Sequence, residues 1–387
     1  MYINFWYPAG EASEFSDKPV KRRMLGLDFV LFRDTAGIAR VLSNTCTHRG
    51  GSLADGKVIG DCIQCPYHGW EFDGDGMCRK IPSAGAKAKI PARTRVDAYP
   101  TVERYGLVFA FLGDLPESER PPILEIKEHG EDGPAEGWAA TLQSLQWPFN
   151  YQRSVENGID YAHNEYVHPT HGYQGNRDDL EIPPPNMELN EWGMWLTGAG
   201  NGRMAPPLKD KKMREASGRH VDGIIKGGGT GCFGVSTLWT HIHPTSEMYI
   251  HQYLFETPVD NYNTHLYLVN LRNFLLDPSD NERIMGRNLA VATQDRDVLT
   301  VVHPILTPES NIHEFFVDPD EPIAKYREFL KGWEARGWRI DVDKVEHDSK
   351  RVAYAIPSPA RREKKGWILQ SVPLLPGAVE KKQAATK

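Results

Sequence analysis

The stretch from Cys46 to Trp70, CTHRGGSLADGKVIGDCIQCPYHGW, restricts the fold more than any other part of the chain. It offers Cys46-x-His48, then sixteen residues, then Cys65-x-x-His68. Two thiolates and two imidazoles on two short loops can hold either a tetrahedral zinc ion or a two-iron, two-sulfur cluster. Structural zinc sites usually leave two to four residues within the first ligand pair, whereas only Thr47 separates Cys46 from His48. The five cysteines are Cys46, Cys62, Cys65, Cys78 and Cys232, and four of them fall within 33 residues. An odd, clustered count argues against a disulfide framework and for a metal site in a reducing compartment, so a cytoplasmic location is expected. Cys62 and Cys65 also form a Cys-x-x-Cys, which taken alone suggests redox or zinc chemistry.

A second group of metal-capable residues lies in Glu156 to His171, ENGIDYAHNEYVHPTH. Asn157, Asp160 and His163 recur every three residues, so a helix would put them on one face. His163 and His168 are five apart, about 140° around an ideal helix. They can meet at one ion only if the helix ends or loosens between them, and Pro169 fits a nearby end. His171 is an alternative ligand with nothing to favour it over a surface role.

Further along the chain, two aspartates, Asp295 and Asp297, fall within one predicted helix. Pro278 is followed by Ser279-Asp280-Asn281-Glu282, a capping box predicted to open a helix of about twenty residues. On that helix Met285, Leu289, Ala292, Leu299 and Val302 are expected to form one apolar arc. Asp295 falls inside the arc and Asp297 about 200° further round, on the side of Thr293 and Gln294. A carboxylate within an apolar stripe needs a partner, which favours Asp295 over Asp297 as the partnered carboxylate and leaves Asp297 solvated.

Short β-prone runs separated by turns fill the first hundred residues: Val20 to Arg33, a turn at Asp34 to Gly37, Ile38 to Leu42, and the apolar run Gly106 to Leu112. Residues 114–137 have linker composition, which divides the chain at 117/118. Glu247 to Glu256 and Thr264 to Phe274 read as an antiparallel hairpin. Pro322 opens a helix with Tyr326, Phe329, Leu330 and Trp333 on one face and Gly337 as its stop. The basic segment from Asn201 to His220 reads as a solvated loop, or as a lid over a site. Gly229 to Gly234 matches G-x-G-x-x-G, but a β-branched run follows instead of a helix, so no nicotinamide site is expected there.

With 45 Lys and Arg against 52 Asp and Glu, the formal charge is −7. That disfavours nucleic acid and anionic membranes as partners. No apolar run reaches the length of a membrane helix, and no secretory signal is visible.

The two constellations together resemble Rieske non-haem iron oxygenases. Cys46-x-His48 with Gly50 and Gly51, and Cys65-x-x-His68 with Tyr67 and Trp70, are similar to the oxygenase branch of the Rieske motif. Respiratory Rieske proteins have a cysteine in each loop, at the positions held here by Gly51 and Tyr67, and these form a disulfide. Asn157-x-x-Asp160-x-x-His163-x4-His168 resembles the mononuclear iron motif, and Gln294-Asp295 its third-ligand segment. Phe5-Trp6-Tyr7-Pro8 and the tail Ala355 to Arg362 also look like this family.

The resemblance implies an α+β fold, with a β-rich Rieske domain over 1–117 and a helix-grip-like catalytic domain over 118–387 whose antiparallel sheet wraps a helix. It implies a [2Fe-2S] cluster on Cys46, His48, Cys65 and His68, and mononuclear Fe(II) on His163, His168 and Asp295. Asn157 and Asp160 are implied as catalytic residues, with Asp160 bridging to His68 of a neighbouring subunit in a head-to-tail homotrimer. The size resembles the α-only branch, which includes carbazole-type, ketosteroid hydroxylase-like and demethylating enzymes. No plant-type ferredoxin motif is present, so electrons from NAD(P)H are expected through a separate reductase or ferredoxin. The implied reaction uses O2 to hydroxylate or oxidatively dealkylate an apolar, aromatic or polycyclic compound. Two other readings stay open: a Rieske electron carrier fused to a ligand-binding domain, and a zinc-stabilised binding module.

Overall fold

The computed structural model describes residues 1–169, 175–176, 181–182, 185–197, 211–216 and 227–378. The chain forms two compact units, one of Met1–Ile123, Thr257–Asp260 and Lys331–Lys387, the other of Leu124–Glu256 and Asn261–Leu330.

The first unit is built from short antiparallel strands. Val20–Met24, Leu27–Arg33, Ala39–Ser43 and Ala98–Tyr99 form one sheet, in that order. Its turn at residues 34–37 forms because Asp34 Oδ1 accepts from the amides of Ala36 and Ile38, at 3.0 and 2.9 Å. A second sheet, Lys57–Ile59, Cys62–Gln64, Glu71–Asp73 and Cys78–Lys80, carries the cysteine–histidine loops. Leu107–Leu112 is buried at every position because it is the central strand of a third sheet. The core of this unit gathers Val30, Phe32, Leu53, Ile63 and Phe72 around Cys46 and Cys65, and takes in Ala355 and Leu369 from the C-terminal stretch.

Among the described residues, the second unit centres on a seven-stranded sheet with antiparallel pairings. Its order is Ala139–Trp147, Thr264–Arg272, Ile250–Pro258, Thr237–Ile242, Gly229–Phe233, Gly193–Thr197 and Asn186–Leu189. The helices that position the site are α1 (Tyr151–Ile159), α2 (Asn164–Val167) and α3 (Asn281–Leu299), and α4 spans Glu321–Ala335. The fold is thus α+β with an antiparallel sheet, as expected. On α4, Tyr326, Leu330 and Trp333 are buried, and Gly337 turns the chain at φ +76°. Gly229–Phe233 is a strand with no helix after it, and added Cβ atoms at Gly229 and Gly231 would lie 2.2 and 2.1 Å from carbonyls of the next strand. Those glycines permit close strand approach.

Several local expectations change. The cap before α3 is Asp277, whose side chain accepts from Ser279 N at the head of a 3-10 turn, Pro278–Asp280. Asp280 makes no side-chain cap bond, because the turn has already begun before the Ser-x-x-Glu stretch. The expected apolar arc on α3 faces inward in part: Ala292 and Leu299 pack against Trp147, Phe149 and Leu266, but Leu289 is 39% exposed, and the buried positions are Ile284 and Asn288. Within the basic segment, Lys211–Ala216 is a short helix with Met213 buried beside Met248 and Phe274. The rest of 201–220, and His171, lie outside the described residues. Residues 114–137 include a 3-10 turn at Glu117–Glu119 and a small hairpin, His129–Gly130 with Gly133–Pro134. No described helix is long and apolar enough to cross a membrane.

Candidate metal centres

The two loops of the first unit close in the same way. Cys46 N donates to Gly51 O at 2.8 Å and Cys46 O accepts from Gly50 N at 3.0 Å; Cys65 pairs likewise with Trp70 O and Gly69 N. Gly50 and Gly69 sit at φ +73° and +71°, where a side chain would be strained. Both sulfurs are buried, while His48 is exposed and His68 half-buried. The two imidazole rings lie 4.4 Å apart, His48 stacks on Trp70 at 4.5 Å and 4°, and Tyr67 leans on His68 at 3.9 Å. A Cβ at Gly51 would fall 2.8 Å from Cys65 Sγ and 3.3 Å from Tyr67 Cβ. A disulfide joins Cβ atoms about 3.5–4.5 Å apart, so the two positions are close neighbours, as the respiratory comparison requires.

Burial, with Cys65 alongside, pushes the Cys46 thiol up to about 12. A bare thiolate there is costly, and a metal that replaces the proton supplies the missing charge. Two buried sulfurs and two outward imidazoles fit a two-iron cluster with cysteines on one iron and histidines on the other. Cys78, pushed up to about 11 by burial, donates to Lys80 O at 3.5 Å. Cys232 is buried in its strand and pushed up to about 12 by burial.

In the second unit α1 does not continue through the motif. It starts at Asn150, whose side chain accepts from Gln152 N, and stops at Ile159 with Asp160 as its C-cap. After three turn residues α2 follows, with His163 at its N-cap and His168 at its C-cap. Asn157, Asp160 and His163 therefore do not share one helical face; the break is what turns the imidazoles inward. His163 Nε2 and His168 Nε2 are 3.1 Å apart, and Asp295 Oδ1 from α3 lies 3.5 and 3.3 Å from them. Donors bound at about 2.0–2.2 Å to a single divalent ion have roughly these separations, so two imidazoles and a carboxylate fit the facial arrangement of non-haem iron. Asp297 points away, paired with Arg296 and 63% exposed in its side chain.

The surrounding residues orient this group. Asn157 Nδ2 donates to Asp295 Oδ1 at 3.0 Å, and His168 Nδ1 lies 3.1 Å from Gln294 Oε1. Since Gln294 Oε1 can only accept, His168 carries its proton on Nδ1 and turns the Nε2 lone pair inward. Asp160 Oδ2 is 3.9 Å from His163 Nδ1, and Asp160 Oδ1 accepts from Ala162 N at 2.6 Å. Burial lowers His163, against the pull of Asp295, and raises Asp160. At His168 burial opposes the charged ring, but the bond to Asp295 outweighs it and raises the pKa.

All three donors border a cavity of about 470 Å³. Its apolar wall includes Phe149, Leu254, Leu266 and Leu268, so the expected hairpin contributes, and α3 adds Asn288, Val291, Ala292 and Leu299 around Asp295. The sheet side is polar, with Thr240, His241, His243 and Gln252. Sequence reasoning missed the part played by Gln294, and it missed Glu128, His241 and His251, which present ligand atoms within 4.8 Å of one another. The spacing His241-x-His243 in a β-prone run was the available signal.

A Rieske [2Fe-2S] domain family model matches residues 5–100, and the vanillate O-demethylase oxygenase C-terminal domain matches residues 147–336. The oxygenase component of 3-ketosteroid-9-alpha-monooxygenase from Rhodococcus rhodochrous is 38% identical over 167 residues, covering 42% of this chain and 43% of that protein. The iron-sulfur subunit TsaM1 of the toluene-4-sulfonate monooxygenase system of Comamonas testosteroni is 35% identical over 172 residues, covering 44% and 48%. The chain thus spans less than half the length of either relative in these matches. NdmA of Pseudomonas putida CBB5, solved with caffeine, shares the fold with a TM-score of 0.70 at 23% identity, over 86% of this chain and 91% of that one. A Rieske domain, whose cluster is [2Fe-2S], precedes a catalytic domain of the kind in which the family uses mononuclear non-haem iron, and by that pairing the chain belongs to the Rieske oxygenases.

Proposed function

We propose that the chain is the terminal oxygenase of a multicomponent system that hydroxylates or oxidatively dealkylates an apolar, aromatic or polycyclic substrate. The observation that carries this is the triangle of His163 Nε2, His168 Nε2 and Asp295 Oδ1, with sides of 3.1, 3.3 and 3.5 Å, on the wall of a largely apolar cavity. His163, His168 and Asp295 would hold Fe(II), and Cys46, His48, Cys65 and His68 the cluster. The chemistry those groups supply when bound is electron storage at the cluster and dioxygen activation at the iron.

The chain's own residues set the conditions for that chemistry. Asn157 holds Asp295 in place, Gln294 fixes the His168 tautomer, and the leucines and Phe149 keep water from the substrate face. Asp160 is the positioning carboxylate behind His163, and in a head-to-tail homotrimer it would reach His68 of the partner subunit. Exposed Ile312 and Phe315, at 85% and 92%, support burial against a second copy. The exposed edge of His48 suits electron entry from a separate ferredoxin or reductase, and thiolate ligation suits the cytoplasm. Functionally, 1–117 carries the cluster and 118–387 the catalytic iron, with the tail supporting the first.

The test is iron, zinc and acid-labile sulfide per chain in anaerobically purified protein. About three irons with two sulfides are expected, falling to two irons with unchanged sulfide in Asp295→Ala. Zinc without sulfide would overturn the reading. Sedimentation should give a trimer, dissociated by Phe315→Asp.

A further inference from the structure

On the sheet side of the cavity, three imidazoles crowd around one carboxylate. His241 lies on the strand Thr237–Ile242, directly opposite His251 on the neighbouring strand, and His243 follows that strand's end. Glu128 Oε1 accepts from His251 Nδ1 at 2.7 Å, and Oε2 accepts from the Tyr253 hydroxyl at 3.1 Å. The same hydroxyl oxygen is 3.0 Å from His241 Nε2. An ionised carboxylate only accepts, which fixes the polarity of both arms. His251 carries its proton on Nδ1, Tyr253 donates to Glu128, and His241 donates from Nε2.

In the neutral imidazole that a metal requires, His251 Nε2 is then the lone pair, and it lies 3.4 Å from His243 Nε2. That is long for a hydrogen bond between ring nitrogens, which prefers about 2.9–3.0 Å. It matches the separation of about 3.3–3.4 Å between two imidazoles bound at about 2.0–2.1 Å to a tetrahedral ion. A carboxylate on the outer nitrogen of His251 is also the arrangement that orients a metal-binding histidine. The His241 ring lies flat against His251, at 3.7 Å and 9°, and holds that imidazole in plane.

We propose that His243 and His251, oriented by Glu128 and flanked by His241, form a second metal site that takes a divalent cation of the zinc class. The Glu128 carboxylate behind His251 adds the negative charge that favours a dication at this position. His241 and His243 border the cavity, so water or a ligand oxygen can complete the coordination. The site goes beyond the oxygenase reading and does not depend on what the His163–His168–Asp295 group binds.

The test uses the holoenzyme with cluster and iron loaded. Zinc chloride is added, excess is removed by gel filtration, and zinc and iron are measured together with the shift in Tm. Wild type should retain one zinc per chain with no loss of iron, and gain Tm. Glu128→Gln should weaken binding about 10- to 100-fold, and His243→Asn with His251→Ala should abolish it. If the double variant loses its cluster spectrum, Glu128→Gln and His243→Asn alone decide the matter. No retained zinc in wild type, zinc gained at the expense of iron, or zinc binding unchanged in the variants would overturn the proposal.

Discussion

At the scale of single residues, the strongest physical anomaly is Glu256. It is 1% exposed, Ser154 Oγ donates to its Oε1 at 2.6 Å, and its Oε2 has no partner among the described residues. Burial pushes its pKa from 4.5 up to about 8. The folded protein then holds a proton that the unfolded chain releases between those values. Stability is complete below about pH 4.5, falls as pH rises towards 8 by up to about 1.4 kcal/mol per unit, and levels above it. Glu256→Gln should flatten that slope, read as the urea midpoint at pH 5, 6, 7 and 8; a slope unchanged in the variant would mean the carboxyl ionises inside the fold. Gly51 is constrained by space instead of charge. Gly51→Ala puts a methyl group 2.8 Å from Cys65 Sγ, within a loop closed by backbone bonds. The expected outcome is loss of most cluster absorbance while iron at the second centre stays, measured as sulfide per chain against total iron.

At the scale of elements, the proposed iron ligands depend on how three helices meet. The break after Ile159 points His163 and His168 at each other, and α3 delivers Asp295 along its pocket-facing row Asn288, Val291, Ala292, Asp295 and Leu299. Asn157→Ala removes the bond to Asp295 Oδ1 without touching the three donors. Iron affinity at this centre should fall about 10- to 100-fold in chelator competition, with the cluster spectrum unchanged. Equal affinity in the variant would make Asn157 a packing residue only. That His163, His168 and Asp295 come together was legible because their types and spacings are chemically unusual, and Asp295 and Asp297 differ by about 200° on any helix. The expected arc and the inward face of α3 part company at Leu289, which is exposed, and at polar Asn288, which is buried. Periodicity registers hydrophobicity, and here the inward face borders a cavity lined by mixed side chains. The Glu128–His251 pair was illegible for another reason: its members are 123 residues apart, and what joins them is the packing of the segment before His129–Gly130 against the strand of His251.

At the scale of the whole molecule, the C-terminal stretch returns to the unit that carries the cluster loops. Asp97 lies between that unit's strands with its side chain fully buried, and Arg361 grips it twice, Nε to Oδ1 at 2.7 Å and Nη2 to Oδ2 at 2.6 Å. Ser358 adds its amide and hydroxyl to Oδ1, and Tyr99 donates to Ile356 O. This explains a tail whose sequence suggested no chemistry: Ala355 and Leu369 sit in the same core as Cys46 and Cys65. Removing one partner of a buried pair leaves the other charge uncompensated, at a cost of about 3–5 kcal/mol. Arg361→Ala should therefore lower the stability of the cluster-bearing unit by that amount, measured as the denaturant midpoint for loss of cluster colour. Arg361→Lys should recover only part of it, because an ammonium cannot match both carboxylate oxygens as the planar fork does. A midpoint that moves as little for Arg361→Ala as for exposed Arg93→Ala would mean that the apolar packing of Ala355 and Leu369 alone anchors the tail.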